Sequence, residues 1–414
     1  MVLEIRLSNF FSIKDEIVLD MRAGGSKSAK SQSLQNNMFA YKEEQILKSV
    51  AIYGANASGK SSVIKAIRFC CSMVLLSHNH NENSTFNFSP FKFYGYPQLP
   101  SRFFIRFVIG EVEYEYSFSL TRTEIITEEL YYYPNGRRAK IFSRDETQGK
   151  EKNKIYSFGA VIRKPLDVAE NTSRKALYIS RASQMDREVA KEIFNFFQEK
   201  IAFNNTLSDL FVVFEFAKSK DLLLKALQIA DSDIVDVKIN SFSRNNDFAF
   251  RDNETPVQEI EQAGELPIFT FHKINPKIPF NFTKEESVGT QALFSMMMVI
   301  LDSIRNNKIL LIDEIETSLH SKIVEYIVEL FHASGSAQII YTTHNTNLLN
   351  LDKLRKDQIY FVNKREDGSS DLYSLFDYKD FRDTMDVEKA YLQGRFDAIP
   401  YIDDSLENLK TLIQ

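Results

Sequence analysis

The segment Gly54-Ala-Asn-Ala-Ser-Gly-Lys-Ser61 is a complete G-x-x-x-x-G-K-[ST] phosphate-binding loop, which requires a buried strand before it and a helix after it. The apolar run Val50-Ala-Ile-Tyr53 precedes the loop, and the helix-like run Ser62-Val-Ile-Lys-Ala-Ile-Arg68 follows it. Glycines let the backbone curl so that its N–H groups point at phosphate oxygens, and the helix start adds the positive end of its dipole. The sequence therefore predicts a strand–loop–helix unit that binds a nucleoside triphosphate.

The loop residues have distinct predicted roles. Lys60 would reach the β- and γ-phosphates, and the Ser61 hydroxyl would ligate Mg²⁺. The predicted cofactors are thus ATP and Mg²⁺. The predicted nucleotide contacts in this segment are Gly54, Asn56, Ser58, Gly59, Lys60, Ser61 and Ser62.

Two later apolar runs end in residues suited to hydrolysis. Lys308-Ile-Leu-Leu-Ile-Asp-Glu314 predicts a central parallel strand, and functional residues collect at the C-terminal end of such a strand. Asp313 would hold Mg²⁺, and Glu314 would orient and deprotonate the attacking water. Ala337-Gln-Ile-Ile-Tyr-Thr-Thr343 predicts another strand that delivers His344. A lone histidine at a strand end is more often structural, but its place after the Asp-Glu strand favours a γ-phosphate-sensing switch.

A further anion-binding segment lies about 25 residues before the Asp-Glu strand. Glu286-Ser-Val-Gly-Thr-Gln291 precedes a helix-like run that extends from 292 to 301, so Ser287 and the Gly289 backbone would lie at a helix start. Taken alone, S-x-G-T would predict no more than a helix cap. Its spacing from the Asp-Glu strand matches the signature motif of ABC-type ATPases.

Together these segments resemble an ABC-class ATPase of the RecF, SMC and OLD superfamily. Glu316-Thr-Ser-Leu-His320 resembles the dimer-contacting D-loop, and Leu7-Ser-Asn-Phe-Phe-Ser-Ile13 resembles the opening strand of that superfamily. More narrowly, the chain is similar to the small AAA-15/AAA-21 ATPases of phage-defence loci, the AbiL or RloA-like group, and to the ATPase of PARIS systems. Phe269-Thr-Phe-His-Lys273 and Tyr391-Leu-Gln-Gly-Arg-Phe-Asp-Ala-Ile-Pro400 fit that narrower group. Ser321 departs from it, since relatives often have proline there, and the Q-loop glutamine is not assigned.

The resemblance implies an α/β fold: an ABC-type P-loop ATPase head with an antiparallel β-lobe and a compact helical insert. Long coiled-coil arms are not expected, because sustained heptads are absent. Paired strands are predicted over 1–22, antiparallel strands between 103 and 142, and helices over 184–230. The predicted divisions are an N-terminal ATPase half (1–180), a helical insert (181–262) and a C-terminal ATPase half with a short α-rich tail (263–414).

The resemblance also implies how the chain works. Each ATP would be held by the phosphate loop of one subunit and by Ser287 and Gly289 of another, in a homodimer or higher homo-oligomer. The implied role is an anti-phage, abortive-infection switch that controls a separate effector, a Toprim or RloB-like nuclease. About 70 residues follow His344, fewer than a typical domain, so we do not expect a fused nuclease. The alternative, a RecF-like repair ATPase that binds duplex DNA, stays open.

Composition limits the remaining classes. A formal net charge of −5 argues against a uniformly basic nucleic-acid binder. The apolar stretch Leu293–Leu301 is too short to span a bilayer, and no secretory signal opens the chain. Adjacent Cys70 and Cys71 predict buried, reduced thiols, so we expect a cytoplasmic protein without a membrane partner. Arg395 is interpreted in two ways, as a ligand for a phosphate or a partner carboxylate, or as part of a packed tail.

Overall fold

The computed structural model places the phosphate loop between a strand and a helix, as the sequence predicts. It describes residues 1–25, 32–204, 209–230, 233–239, 267–378, 381–382 and 385–399. Residues 240–262 of the predicted insert lie outside the described residues, as does Pro400 of the tail motif.

The described chain contains runs of consecutive strands as well as strands separated by helices. The strands are β1 Val2–Ser8, β2 Ile17–Asp20, β3 Met38–Tyr41, β4 Glu44–Leu47, β5 Ser49–Gly54, β6 Ser101–Ile109, β7 Val112–Leu120, β8 Ile125–Tyr133, β9 Ala139–Asp145, β10 Tyr156–Phe158, β11 Ile201–Phe203, β12 Ile234–Ile239, β13 Ile268–His272, β14 Pro279–Asn281, β15 Ile309–Ile312, β16 Gln338–Thr342, β17 Ile359–Lys364 and β18 Ser370–Ser374. The helices are α1 Lys60–Leu76, α2 Lys152–Ile155, α3 Pro165–Glu170, α4 Tyr178–Gln184, α5 Glu188–Asn195, α6 Asp209–Ala230, α7 Phe282–Glu285, α8 Val288–Arg305, α9 Ser321–Ala333 and α10 Val387–Leu392.

The chain forms two compact units, which are described separately. The P-loop unit comprises Val2–Phe197 and Tyr341–Gln414, and the signature unit comprises Met1 and Gln198–Ile340. Strand β16 begins in the signature unit and ends in the P-loop unit.

A seven-stranded antiparallel sheet dominates the P-loop unit, in the order β10-β9-β8-β7-β6-β1-β2. Ile5 of β1 lies opposite Leu19 on one side and Ile105 on the other. Gly110 and Gly136 adopt positive φ angles in the turns that close two of its hairpins, a conformation that glycine adopts without steric cost. The paired strands predicted over 1–22 and the antiparallel β-lobe are therefore confirmed.

A buried arginine ties this lobe to the polypeptide that follows it. Arg144 on β9 donates to Glu146 (2.8 Å) and to the backbone carbonyls of Ala176 (2.8 Å) and Ser173 (3.0 Å). Glu128 on β8 lies 3.7 Å from the same guanidinium group, and all three charged side chains are essentially inaccessible to water. Since isolated buried charges are costly, this arginine and its two carboxylates stabilise the lobe only as a set.

Replacing the arginine should therefore destabilise the protein strongly. Arg144→Met keeps most of the side-chain volume but takes the cation away from buried Glu128 and leaves Glu146 paired with half-exposed Arg174. We therefore expect the free energy of unfolding to fall by about 3–5 kcal/mol. Arg138→Met is the matched control, because Arg138 is half exposed and pairs with Glu115 near the surface. Exposed pairs contribute roughly 0–1 kcal/mol. Equal losses for both variants in chemical denaturation would contradict this account.

The P-loop unit also contains the strand and helix that carry the phosphate loop. Strand β5 is buried along its whole length and pairs in parallel with β17, which pairs antiparallel with β18. Helix α1 is long and apolar enough by composition to cross a bilayer, but half of that stretch is buried inside the protein, as in a core helix. Cys70 and Cys71 are buried there as free thiols, which confirms the prediction for them. Burial raises the pKa of the Cys70 thiol to about 12, so it stays neutral and unreactive.

The signature unit contains two strands where the sequence predicted helical structure. The prediction of helices over 184–230 is wrong for Ile201–Phe203, which forms strand β11 and pairs in parallel with β15. A short Ile-Ala-Phe run has no clear period, so its tertiary partner decides its structure. The helical insert likewise contains β12, which forms a small antiparallel sheet with β13 and β14.

The two long helices of the signature unit are joined by an ion pair. Arg305, at the end of α8, donates to both carboxylate oxygens of Glu215 on α6, at 2.8 and 2.9 Å. Ser219 donates to the same carboxylate at 2.6 Å. The longest described helix, α6, has 22 residues, so the described chain contains no long coiled-coil arm, as predicted.

Candidate nucleotide site

The phosphate loop lies at the C-terminal end of a buried strand. Strand β5 ends at Gly54, and helix α1 begins at Lys60. Gly59 precedes the helix with φ +113° and has no side chain with which to cap it. The first turn of α1 is therefore reached through glycine backbone, the arrangement that suits a bound anion.

Neither end of the loop has room for a side chain. A Cβ atom on Gly54 would lie 2.5 Å from the Val362 carbonyl oxygen and 2.6 Å from Ser58 Oγ. A Cβ atom on Gly59 would lie 2.6 Å from Ser12 Oγ and closer still to Ser370 Oγ. Close packing thus requires both glycines of the motif, and the positive φ angle favours glycine at position 59 as well.

Two serines that the sequence analysis left without a role brace the loop. Ser370 donates its hydroxyl to the Ser58 carbonyl, and its N–H donates to the Ser12 carbonyl at 2.7 Å. The hydroxyls of Ser12 and Ser62 lie 3.1 Å apart. Ser62, predicted to contact nucleotide, thus has its hydroxyl beside that of Ser12. Ser12 lies in the opening-strand motif and could have been suspected from it, whereas nothing in the sequence marks Ser370.

The lysine of the motif is buried in the loop that it serves. Lys60 is 5% exposed, and its ammonium group donates to the carbonyls of Gly54 (2.9 Å) and Ala55 (3.0 Å). Ser58 Oγ is buried and, among the described residues, has no hydrogen-bond partner. The loop thus encloses the positive charge of Lys60 and the unpaired hydroxyl of Ser58, two groups that would bind an anionic ligand.

The predicted switch histidine lies beside the strand that enters the loop. Thr343 N–H donates to the Ile52 carbonyl (3.0 Å), and the Tyr53 hydroxyl donates to the Asn345 carbonyl (3.3 Å). Exposed His344 lies between these two anchored residues. The structure therefore places His344 near the end of β5, where the phosphate loop begins.

The two adjacent carboxylates lie in the signature unit, where β15 ends. Asp313 is half-buried and Glu314 is exposed. Glu314 has φ +53°, an uncommon conformation for a residue other than glycine. Its carbonyl accepts the N–H (3.0 Å) and hydroxyl (2.8 Å) of Thr317, which hold this tight turn.

The signature segment of the same unit starts a long helix. Ser287 caps α8 by accepting the Thr290 N–H at 3.0 Å, and Val288 is 70% exposed beside it. A Cβ atom on Gly289 would lie 3.1 Å from the carbonyl oxygen of Ser318, in the segment that resembles the D-loop. The His320 side chain caps α9 by accepting the Lys322 N–H. The helix begins at Ser321, the position where relatives often have proline. The signature segment and the D-loop-like segment thus pack closely within one unit.

The family of the chain follows from a comparison of its sequence. The profile of the family described as "AAA domain, putative AbiEii toxin, Type IV TA system", AAA-21, matches residues 49–350, well over half of the chain. The chain belongs to this AAA-21 family. The predicted resemblance to the AAA-21 group is confirmed, and the matched residues include the phosphate loop, the signature segment, the Asp-Glu strand and His344.

Solved structures with a similar fold include three SMC heads. The SMC head domain from Thermotoga maritima is 13% identical, with 90% of this chain and 98% of that chain covered and a TM-score of 0.40. An SMC head bound to the C-terminal winged-helix domain of ScpA is 18% identical, with 94% and 99% covered and a TM-score of 0.42. An SMC head with an extended coiled coil, bound to the C-terminal domain of ScpA from Pyrococcus furiosus, is 16% identical, with 95% and 98% covered and a TM-score of 0.41. The comparison with curated proteins gives no match.

The tail motif of this AAA-21 protein packs within the P-loop unit. Phe396 is buried with its ring stacked 4.6 Å from that of Phe361 on β17, and the Tyr378 hydroxyl donates to the Arg395 carbonyl (3.0 Å). The Arg395 side chain is exposed and contacts Met385. The backbone and Phe396 therefore fit the packed-tail interpretation.

Proposed function

We propose that this AAA-21 protein is an ATP-hydrolysing switch, in which two copies close head to head around two ATP molecules. The observation that carries the proposal is the phosphate loop of Gly54–Ser61, whose glycines leave no room for side chains and whose lysine lies inside it. A loop of this kind is suited to a phosphate ligand.

Binding would use groups that already face the loop. Phosphate oxygens would replace the Gly54 and Ala55 carbonyls as acceptors for the Lys60 ammonium group, with a full negative charge in place of a dipole. The N–H groups of Ser58 and Ser62 donate to the Ala55 and Gly59 carbonyls, at 3.2 and 2.9 Å, and N–H groups between them would cradle the phosphate oxygens.

Magnesium fits the donors that the motifs supply. Ser61 offers a hydroxyl and Asp313 a carboxylate, and Mg²⁺ prefers one or two protein oxygens together with substrate phosphates. Among the described residues, no group of three or more His, Cys, Asp and Glu side chains forms a separate metal cage. Neutralisation of phosphate charge is the chemistry that Mg²⁺ supplies when bound.

Hydrolysis would depend on Glu314, which follows strand β15, and on His344, which follows strand β16. Glu314 would orient the attacking water and take its proton, since an exposed carboxylate beyond a rigid strand is a suitable general base. His344 would sense the γ-phosphate, because its neighbours are hydrogen-bonded to the strand that enters the loop.

The second subunit would supply the signature segment. Ser287 and Gly289 lie at the N-terminal end of an 18-residue helix, whose positive dipole end favours an anion. Ser287 and Val288 are exposed, so this helix start is accessible to another copy of the chain. ATP would then stabilise the dimer, and hydrolysis would release it.

The dimer is directly testable by mass. Sedimentation of the 47.9 kDa chain with a non-hydrolysable ATP analogue and Mg²⁺ should show a species of twice the mass. Removal of Mg²⁺ with EDTA should return the monomer, and Ser287→Ala should stay monomeric while still binding nucleotide. A wild-type chain that remains monomeric when saturated with the analogue would refute the head-to-head dimer.

We place this switch in bacterial anti-phage defence, in the cytoplasm, where it would hold and release a separate effector, a nuclease of the Toprim or RloB-like kind. Support comes from the family, whose description names a toxin of a type IV toxin–antitoxin system. Purification of the tagged chain from its native operon should recover a second protein whose association changes with ATP. Recovery of DNA as the only ATP-dependent partner would favour a repair ATPase instead.

A further inference from the structure

Two polar side chains of strand β13 hold the residue that precedes the signature serine. Thr270 and His272 lie two residues apart, so their side chains share one face of the strand. The Thr270 hydroxyl and His272 Nε2, the latter at 2.9 Å, both bind the same oxygen, Oε1 of Glu286. Because a carboxylate only accepts hydrogen bonds, both β13 groups donate, which fixes the proton of the His272 ring on Nε2.

This three-residue contact is buried enough to be specific. The Glu286 side chain is 6% exposed, Thr270 is fully buried, and the His272 side chain is 20% exposed. The His272 ring also packs 4.6 Å from that of Phe280 on the neighbouring strand β14. A carboxylate removed from water in this way requires its donors, since an unsatisfied buried charge is costly.

The contact fixes the signature segment from its N-terminal side. The Glu286 carbonyl accepts the side-chain amide of Gln291 at 2.9 Å, and Ser287 next to it caps α8 through the Thr290 N–H. The backbone that carries Ser287 is thus held by β13 on one side and by its own helix on the other. The motif Phe269–Lys273, which the proposed function leaves without a role, supplies the β13 side of this support.

We infer that His272 is a positioning residue for ATP hydrolysis: through Glu286 it holds Ser287 and Gly289 in the position where they meet the nucleotide bound by the other subunit. The inference rests on the proposed head-to-head dimer. It separates the role of His272 from ATP binding, because His272 binds Glu286, which the proposed function does not place in contact with the nucleotide. Loss of the His272 donor should therefore lower turnover and ATP-driven dimerisation without weakening nucleotide binding by a single subunit.

The test uses the full-length chain and two variants of one side chain. His272→Phe keeps a ring against Phe280 but removes the donor, whereas His272→Gln keeps an N–H donor near the same position. For each variant we would measure the melting temperature, the affinity for ATP at a concentration where the chain is monomeric, the kcat, and the mass of the ATP-bound species. Ser287→Ala serves as the reference for loss of the signature contact itself.

His272→Phe should lower kcat about 10–10²-fold, as misplacement of a reacting group by about 1 Å does, with ATP affinity unchanged. The melting temperature should fall only slightly, because Thr270 still donates to the Glu286 carboxylate. His272→Gln should recover most of the loss. Parallel losses of melting temperature and ATP affinity would show a merely structural role and overturn the inference, as would a His272→Phe chain with normal kcat beside an impaired Ser287→Ala chain. If Ser287→Ala itself hydrolyses ATP normally, the proposed dimer fails, and the inference fails with it.

Discussion

Glu314→Gln is expected to slow ATP hydrolysis about 10²–10⁴-fold, the usual contribution of a general base, while ATP affinity stays close to that of the wild type. The amide preserves the size of the side chain and the tight turn at φ +53°, but it cannot take a proton from water. Since hydrolysis is what releases the dimer, the variant should also accumulate as the ATP-bound dimer. Single-turnover phosphate release, ATP titration and sedimentation measure these three consequences.

Glu329→Gln is the matched control for this experiment. Glu329 is an exposed carboxylate on helix α9 of the same unit, outside the proposed nucleotide contacts. Its replacement changes the net charge by the same amount and should leave hydrolysis unaltered. Normal turnover in Glu314→Gln would show that a different group activates the water.

Gly59→Ala is expected to weaken ATP binding at least tenfold and to abolish hydrolysis. The added methyl group would meet the hydroxyls of Ser12 and Ser370, and alanine at φ +113° is strained. Strain of this kind costs roughly 1–3 kcal/mol, and every 1.4 kcal/mol corresponds to a tenfold change in affinity. Relief of the strain would move the first turn of α1, which carries Lys60 and Ser61, out of position for phosphate. Titration with ATP measures the effect, and circular dichroism of the ligand-free protein establishes that the fold is intact.

Gly110→Ala is the control for Gly59→Ala, because it introduces backbone strain without crowding the phosphate loop. Gly110 also has a positive φ, +58°, but an added Cβ atom would find no other atom within 4 Å. This hairpin glycine of the antiparallel sheet should tolerate alanine with a small loss of stability and unchanged ATP affinity. A Gly59→Ala chain that binds ATP as well as Gly110→Ala does would contradict the close packing around the loop.

The sequence predicted those parts of the site whose signals are local. The phosphate loop, the strand before it and the helix after it form one contiguous pattern, and the run that ends in Asp313 and Glu314 is equally compact. The antiparallel lobe was predictable because its strands alternate buried and exposed residues between clear turns.

The rest depends on contacts between distant segments. Ser370 braces the phosphate loop through the Ser58 carbonyl, 312 residues away in sequence, and only the pairing of β18 with β17 brings the two together. Strand β11 has three residues and is defined by its partner β15. The contact between His272 and Glu286 likewise requires a sheet that the pattern of the insert did not indicate. Short apolar runs and single serines carry too little local information to fix such contacts.

The measurement that tests the central claim most directly uses mixed dimers whose two copies are joined by a flexible linker, so that the pair stays together without ATP. In one, Lys60→Ala is in one copy and Ser287→Ala in the other; in the second, both substitutions are in one copy and the partner is wild type. If each ATP is enclosed by the loop of one copy and the signature of the other, only the first dimer retains an intact site and hydrolyses ATP. Hydrolysis by the second dimer alone would show that each chain completes its own site, and would contradict the account.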